Sequence, residues 1–242
     1  DVIGQGRATP LGGLYLEMKH LGPENVRRQF KGMVERCADC GFDLAGGRVE
    51  VIPTAHYMMG GVRFAPDCTT ALAGLYAAGE DTGGVHGANR LGGNGVANST
   101  VFGGIAGASM ARGIKTETHF RVPIEHAIDA ATFAARAPFA KPPGDLESIR
   151  ERLYATMWED AGIVRDAAGL ARAEAALASL DRDLAGTGVA EPRAFNLAWH
   201  AWLDLKNLIL VSRAIVAAAS ARDNSAGAHF RADFPDPADP AH

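Results

Sequence analysis

The chain has 242 residues, 47% of them hydrophobic and 21% charged, with a formal net charge of −4 at pH 7. That length suits one large domain or two smaller ones, and the composition is that of an ordinary globular protein rather than a disordered or fibrous one. A negative balance with no Lys/Arg cluster excludes a nucleic-acid-binding surface, three cysteines exclude a disulfide framework, and no apolar run reaches the ~18 residues of a membrane span.

In chain order, GLYLEM at 13–18 predicts a strand. Residues 23–40 predict a helix, with Pro23 in the first turn and then Val26, Phe30, Met33, Val34 and Cys37 at helical spacing. Cys37 and Cys40 form a lone CxxC, and without a second pair or nearby histidines it reads as a coincidence at a helix end. Residues 48–53, 56–64 and 75–78 predict strands, the last two separated by a turn-rich stretch at 66–70. A helix is expected over about 95–112, with Ser99, Gly103, Ala106 and Gly107 along one side, so that it can pack close to a sheet or ligand. Residues 116–143 carry few signals, and KPPGD at 141–145 marks a linker that ends in a helix start.

Amphipathic helices are expected at about 145–162, 168–185 and 191–222, punctuated by Gly162 and the GTG at 186–188. Their apolar positions include Leu146, Ile149, Leu153 and Met157 on the first, and Leu205, Leu208, Ile209 and Ile215 on the third. Together they predict a three-helix bundle. The tail, with Pro235, Pro237 and Pro240, is expected to be extended. The fold class is therefore α+β: strands with a glycine-rich loop and helix, followed by the bundle.

The stretch 75–107 is the most informative part of the chain. Ten of the 29 glycines lie between Gly79 and Gly107. Glycine at this density weakens helix and strand interiors, but it lets backbone approach a large flat or phosphorylated ligand closely. Glu80 ends an apolar strand, where an acid suits recognition of hydroxyl groups on a nucleotide or ribityl chain. Arg90 sits among glycines, and a planar, permanently charged, bidentate donor is what a carboxylate substrate needs. The helix that starts near Gly95 and Val96 offers backbone N–H groups to negative charge. His86 borders the loop, and His200, between Trp199 and Trp202, reads as structural. Taken alone, His56 on a predicted strand reads as a core histidine.

Several blocks then add up to a resemblance. HYMMGG at 56–61, LYAAGE at 75–80 and HGANRLGGN at 86–94 resemble the carboxyl-terminal half of the succinate dehydrogenase/fumarate reductase flavoprotein family, of which L-aspartate oxidase is a relative with the same block layout. MWEDAGIVRDAAGL at 157–170, NLILVSRAIVAAASAR at 207–222 and GAHFRADFP at 227–235 extend it over most of the chain. The resemblance implies FAD-dependent hydride transfer that interconverts succinate and fumarate, a C4-dicarboxylate pair. In that role Arg90 and His56 hold substrate carboxylate, Glu80 contacts FAD, and Gly95 and Val96 meet the flavin ring where the family usually has Ser-Leu. It also implies an iron–sulfur partner, and a cytoplasmic protein that reaches a membrane only through partners. By resemblance, residues 1–45 are a remnant of a capping domain, 46–115 the end of the FAD-binding domain, and 116–242 a helical domain. At 222–229 the family often reads RxESRGAH; this chain reads RDNSAGAH, and the motif is expected to act as a weakened structural clamp.

The family's pyrophosphate-binding GxGxxG and its proton-transferring arginine are both expected before Asp1, Arg7 not matching the arginine's context, so the 242 residues alone are expected to hold little FAD and to be inactive. Two alternatives stand beside this reading: L-aspartate oxidase, which Met58 and Met59 slightly disfavour, and a non-catalytic helical module that docks a partner through 145–222.

Overall fold

A computed structural model of the chain describes residue 6 and residues 8–10, 12–116 and 124–237. Its contacts divide the chain into two compact units, 1–55 and 56–242.

In the first unit, β1 (Leu14–Glu17) pairs antiparallel with β2 (Arg48–Val51), Leu14 opposite Val51 and Glu17 opposite Arg48. The predicted helix is two helices, α1 (Pro23–Gln29) and α2 (Lys31–Asp39). Phe30, with φ −118° and ψ 34°, leaves the helical region and separates them, a local kink that side-chain periodicity does not report. Val26, Leu44, Ala45 and Val49 form the core of this unit, with Met18, Val34 and Cys37 packed on it. Cys37 and Cys40 are free thiols, and no group of three or more potential metal ligands gathers among the described residues.

The second unit begins with little regular sheet. The expected strand at 56–64 is regular only at β3 (Val62–Arg63), which pairs in parallel with β4 (Thr82–Gly83). The expected strand at 75–78 is reduced to a bridge between Tyr76 and Thr69, because the backbone on its other side has no partner strand among the described residues. α3 (Asn94–Thr116) is longer than expected, and α4 (Glu125–Arg136) occupies a stretch whose alanine-rich sequence shows no clear apolar stripe. Residues 117–123 of the linker lie outside the described residues, as does Pro240.

α5 (Leu146–Glu159), α6 (Ala167–Gly186) and α7 (Leu197–Ser220) follow. Each starts on a side-chain cap: Asp145 accepts from Ser148 N–H at 3.0 Å, Asp166 from Gly169 N–H at 2.6 Å, and Asn196 from Trp199 N–H at 3.0 Å. Their shared core is built from stripes three and four residues apart. Leu170, Ala173, Leu177, Leu180 and Leu184 come from α6, and Trp202, Leu205, Ile209 and Val216 from α7. Leu208 is not part of it; at 39% exposed it lies beside the stripe, since packing selects one phase of a helix that is apolar over more than half its circumference. The Trp202 indole N–H donates to the carbonyls of Leu184 and Thr187, both at 3.1 Å, and so satisfies orphan groups at the end of α6.

The tail folds back rather than running extended. β6 (Phe230–Arg231) pairs in parallel with β5 (Val164–Arg165), and the Phe234 N–H returns to the Arg231 carbonyl. Arg231, 2% exposed, donates from Nη1 to the carbonyls of Ala219 and Arg222 at 3.0 and 2.9 Å. Its Nε and Nη2 grip Asp233 at 2.7 Å each. Asp233 in turn accepts from Ala167 N–H at 2.9 Å, at the start of α6. The same segment reaches the glycine-rich loop: Ala228 N–H donates to the Ala88 carbonyl at 3.0 Å. The turn there needs Gly227, whose φ is +59° and where a Cβ would lie 2.2 Å from the Ala88 oxygen.

His229 is 8% exposed. Burial first, and then the charges of Arg222, Arg165 and Arg231, push its pKa down from 6.5 to about 4. The Arg165 Nη1 donates to its Nδ1 at 2.9 Å, a contact that requires the neutral ring. Below pH 6.5 the unfolded chain therefore takes up a proton that the folded chain refuses until about pH 4. The melting temperature should fall as pH drops from 6.5 towards 4, and His229→Gln should flatten that part of the profile. An unchanged slope would show that His229 does not titrate in this way.

Leu153 is 1% exposed in the helical core. Leu153→Ala should cost about 2–5 kcal/mol, and Leu208→Ala much less. Urea unfolding of the two variants checks the assignment, and equal losses would contradict the packing.

Candidate active site

The β3–β4 pairing lays residues 56–61 beside 79–81. Val62 N–H donates to the Asp81 carbonyl at 2.7 Å, and Met58 N–H donates to Glu80 Oε1 at 3.0 Å. Glu80 is therefore not a free acid at a strand end. One of its oxygens holds the segment that carries His56.

The centre of the arrangement is Asn98, one turn into α3 and 4% exposed. Its Nδ2 lies 3.1 Å from the Gly79 carbonyl, 3.2 Å from His86 Nε2 and 3.3 Å from the Tyr57 hydroxyl. Two amide hydrogens are shared among three acceptors. Acceptance at Nε2 leaves His86 neutral with its proton on Nδ1, an assignment that follows from the network. The Gly79 carbonyl also accepts from the hydroxyl of Thr82, which is 1% exposed, at 2.7 Å.

The Tyr57 ring meets His86 edge-on, with centroids 5.2 Å apart and planes at 85°. The face of the same ring carries the Arg90 guanidinium, 4.3 Å from its centroid. Arg90 is half-buried and reaches the Leu91 carbonyl from Nη1 at 3.4 Å. Its Nε is buried with no hydrogen-bond partner, and no carboxylate lies within salt-bridge distance of it among the described residues. A half-buried guanidinium without a counter-charge is costly unless an anion completes it.

Of the residues singled out from sequence, His56, Glu80, Arg90 and Gly95 converge on Tyr57 and its flanking segment. His56 precedes Tyr57 and is exposed; Met58 is bonded to Glu80; Arg90 stacks on the ring; Gly95 lies against the ring edge. Val96 is 76% exposed in the first turn of α3, which carries no acidic residue. His200 lies on α7 beside Trp199, apart from this group. Sequence reading missed Tyr57 and Asn98. The available signal for Asn98 was a carboxamide four residues after Asn94, on one face of a helix otherwise made of small and apolar residues.

Comparison with known proteins matches both ends of the chain. Residues 2–96 match the family model of an FAD binding domain, and residues 150–241 that of the fumarate reductase flavoprotein carboxyl terminus. The chain is 37% identical to a fumarate reductase (CoM/CoB) flavoprotein relative from Methanothermobacter marburgensis over 97% of its own length and 42% of that protein. It is 32% identical to an L-aspartate oxidase of Nostoc sp., over 92% of its length and 40% of the relative. Among solved structures, a quinol-fumarate reductase with menaquinol molecules superposes with a TM-score of 0.87 at 29% identity, covering 98% of this chain and 43% of that one. The chain thus spans about two-fifths of the length of the relatives it matches.

Asn98→Ala removes the donor from two loops and leaves the Gly79 carbonyl with Thr82 alone. A loss of about 1–3 kcal/mol is expected, read from chemical denaturation, with Asn98→Asp failing to restore it because a carboxylate cannot donate to the Gly79 carbonyl. Stability equal to the parent would show that the amide does not hold the site together.

Proposed function

Because the chain belongs to the succinate dehydrogenase/fumarate reductase flavoprotein family, we propose that it forms the carboxylate-binding side of an FAD-dependent oxidoreductase that interconverts succinate and fumarate. One observation carries this reading. Arg90 is held in place, half-buried and without a carboxylate partner among the described residues, next to the segment that bears His56. A dicarboxylate supplies the missing charge, and its second carboxylate falls to His56.

The residues present fit a flavin. The first turn of α3, with Gly95 and Val96, is exposed and free of acids, so its backbone N–H groups suit an electron-rich ring edge. Gly-Val in place of the family's usual Ser-Leu leaves backbone donation intact and removes one hydroxyl. Glu80 keeps one oxygen for hydroxyl recognition. Bound FAD supplies the hydride acceptor or donor. The chain's own contribution is to bind and orient: Arg90 and His56 fix the carboxylates so that the reacting carbon is presented in one geometry. No helix among the described residues is long and apolar enough to cross a membrane. A membrane-associated role therefore runs through partners, an iron–sulfur protein being the expected electron carrier.

Arg90→Lys keeps the charge and loses the bidentate fork. In the flavin-loaded protein kcat/KM should fall by an amount on the order of 2–4 kcal/mol, and wild-type kinetics would sink the assignment. Assays with succinate, fumarate and L-aspartate separate this reading from an L-aspartate oxidase: turnover of L-aspartate alone overturns it.

A further inference from the structure

Resting on that reading of Arg90, we propose that Tyr57 is a positioning residue for it, and that Gly95 is what allows Tyr57 to take up the position. Three observations converge. First, the guanidinium lies 4.3 Å from the Tyr57 ring centroid. This is a stacking distance at which a cation is held by the ring quadrupole and a planar fork is kept from rotating. Second, the ring is fixed from the other side, by its edge contact with His86 and by the Asn98 amide at its hydroxyl. Asn98 also holds His86, so the platform, its neighbour and the loop share one anchor. Third, a Cβ at position 95 would lie 2.9 Å from Tyr57 Cε2, 3.5 Å from Cδ2 and 3.7 Å from Arg90 Nη1. The ring sits in space that any other residue at 95 would claim.

The Arg90 environment explains why a platform is needed. The backbone around it is rich in glycine, and its one protein hydrogen bond among the described residues is a long contact to the adjacent Leu91 carbonyl. A free arginine side chain in such a loop would sample many rotamers and lose that freedom each time a carboxylate bound. Stacking meets that cost in advance. The Tyr57 ring thus contributes to ground-state and transition-state binding alike, which shows as KM rather than kcat.

The test uses the flavin-loaded protein and fumarate. Fumarate binds the oxidised flavoprotein without reacting, since no electrons are available, so isothermal titration calorimetry reads its Kd directly. Tyr57→Leu removes the ring and Tyr57→Phe keeps it. Tyr57→Leu should bind fumarate about 5- to 30-fold more weakly, the span of a partly to fully desolvated cation–π contact at about 1.4 kcal/mol per factor of ten. KM should rise in step and kcat should change little. Tyr57→Phe should stay within about threefold of the parent. Gly95→Ser should weaken fumarate binding in the parent and have a smaller effect in the Tyr57→Leu background, where nothing is left to displace.

Melting temperatures show which variants are folded, and Tyr57→Phe with Gly95→Ser test the proposal if Tyr57→Leu is not. Parent-like binding in Tyr57→Leu while Arg90→Lys has lost it overturns the platform and leaves the role of Arg90 standing. Equal losses in Tyr57→Phe and Tyr57→Leu overturn it as well, since the hydroxyl and not the ring would then matter. Parent-like binding in Arg90→Lys overturns the underlying reading and the platform with it.

Discussion

The second unit depends on the placement of Arg231. A guanidinium that is 2% exposed must have nearly all its donors satisfied, and here they are divided between the end of α7 and Asp233. Cation at a helix carboxyl end and anion at a helix amino end both follow the helix dipole, and Asp233 bonds Ala167 N–H at the start of α6. A buried pair of this kind adds little net stability against an apolar replacement, yet removing one partner alone costs about 3–5 kcal/mol. Its effect is to specify: it sets which end of α7 meets which end of α6, and where the tail turns.

That turn is how the helical part bears on chemistry. Residues 225–229 cross to the glycine-rich loop, and Ala228 bonds the Ala88 carbonyl two residues before Arg90. A loop this rich in glycine has little conformational preference and few side chains of its own to pack. Its geometry is imposed by neighbours. The tail holds it at Ala88, Asn98 holds it at His86 and Gly79, and the β3–β4 pairing holds the facing segment. The departures in RDNSAGAH leave Ser225 at work, bonding the Arg231 N–H and the Phe234 carbonyl. Arg222, Arg165 and Arg231 crowd round a neutral His229 in the same place. The clamp is thus built mainly from backbone carbonyls and one ion pair, and tolerates the loss of an acid at Asn224 and of a base at Ala226.

The site also shows how one departure from a family pattern can reorganise its surroundings. Gly95 stands where a hydroxyl is usual. With no side chain there, the Tyr57 ring closes against the backbone and Arg90 stacks over it. The same first turn of α3 keeps its exposed N–H groups for an electron-rich ligand. Backbone donation and side-chain positioning are separable here, since the first depends on helix direction alone and the second on which residues lie within van der Waals reach.

The sequence by itself determined the family, the helices and the list of polar groups available for chemistry. Those features are local or short-range: HGANRLGGN is contiguous, the caps Asp145 and Asp166 lie within three residues of the groups they satisfy, and the Leu170–Leu184 stripe repeats every three or four positions. Tertiary structure decided what period alone leaves open. It chose Ile209 over Leu208 as the buried position, broke a predicted helix at Phe30, and left only short pieces of the predicted strands paired. It also assembled the Tyr57–Asn98–His86 anchor. Tyr57 and Asn98 are 41 positions apart, and a contact across that separation is set by how the β3–β4 ladder and α3 pack. Burial and hydrogen-bond satisfaction are properties of the assembled molecule, and so the residues that hold Arg90 are visible only there.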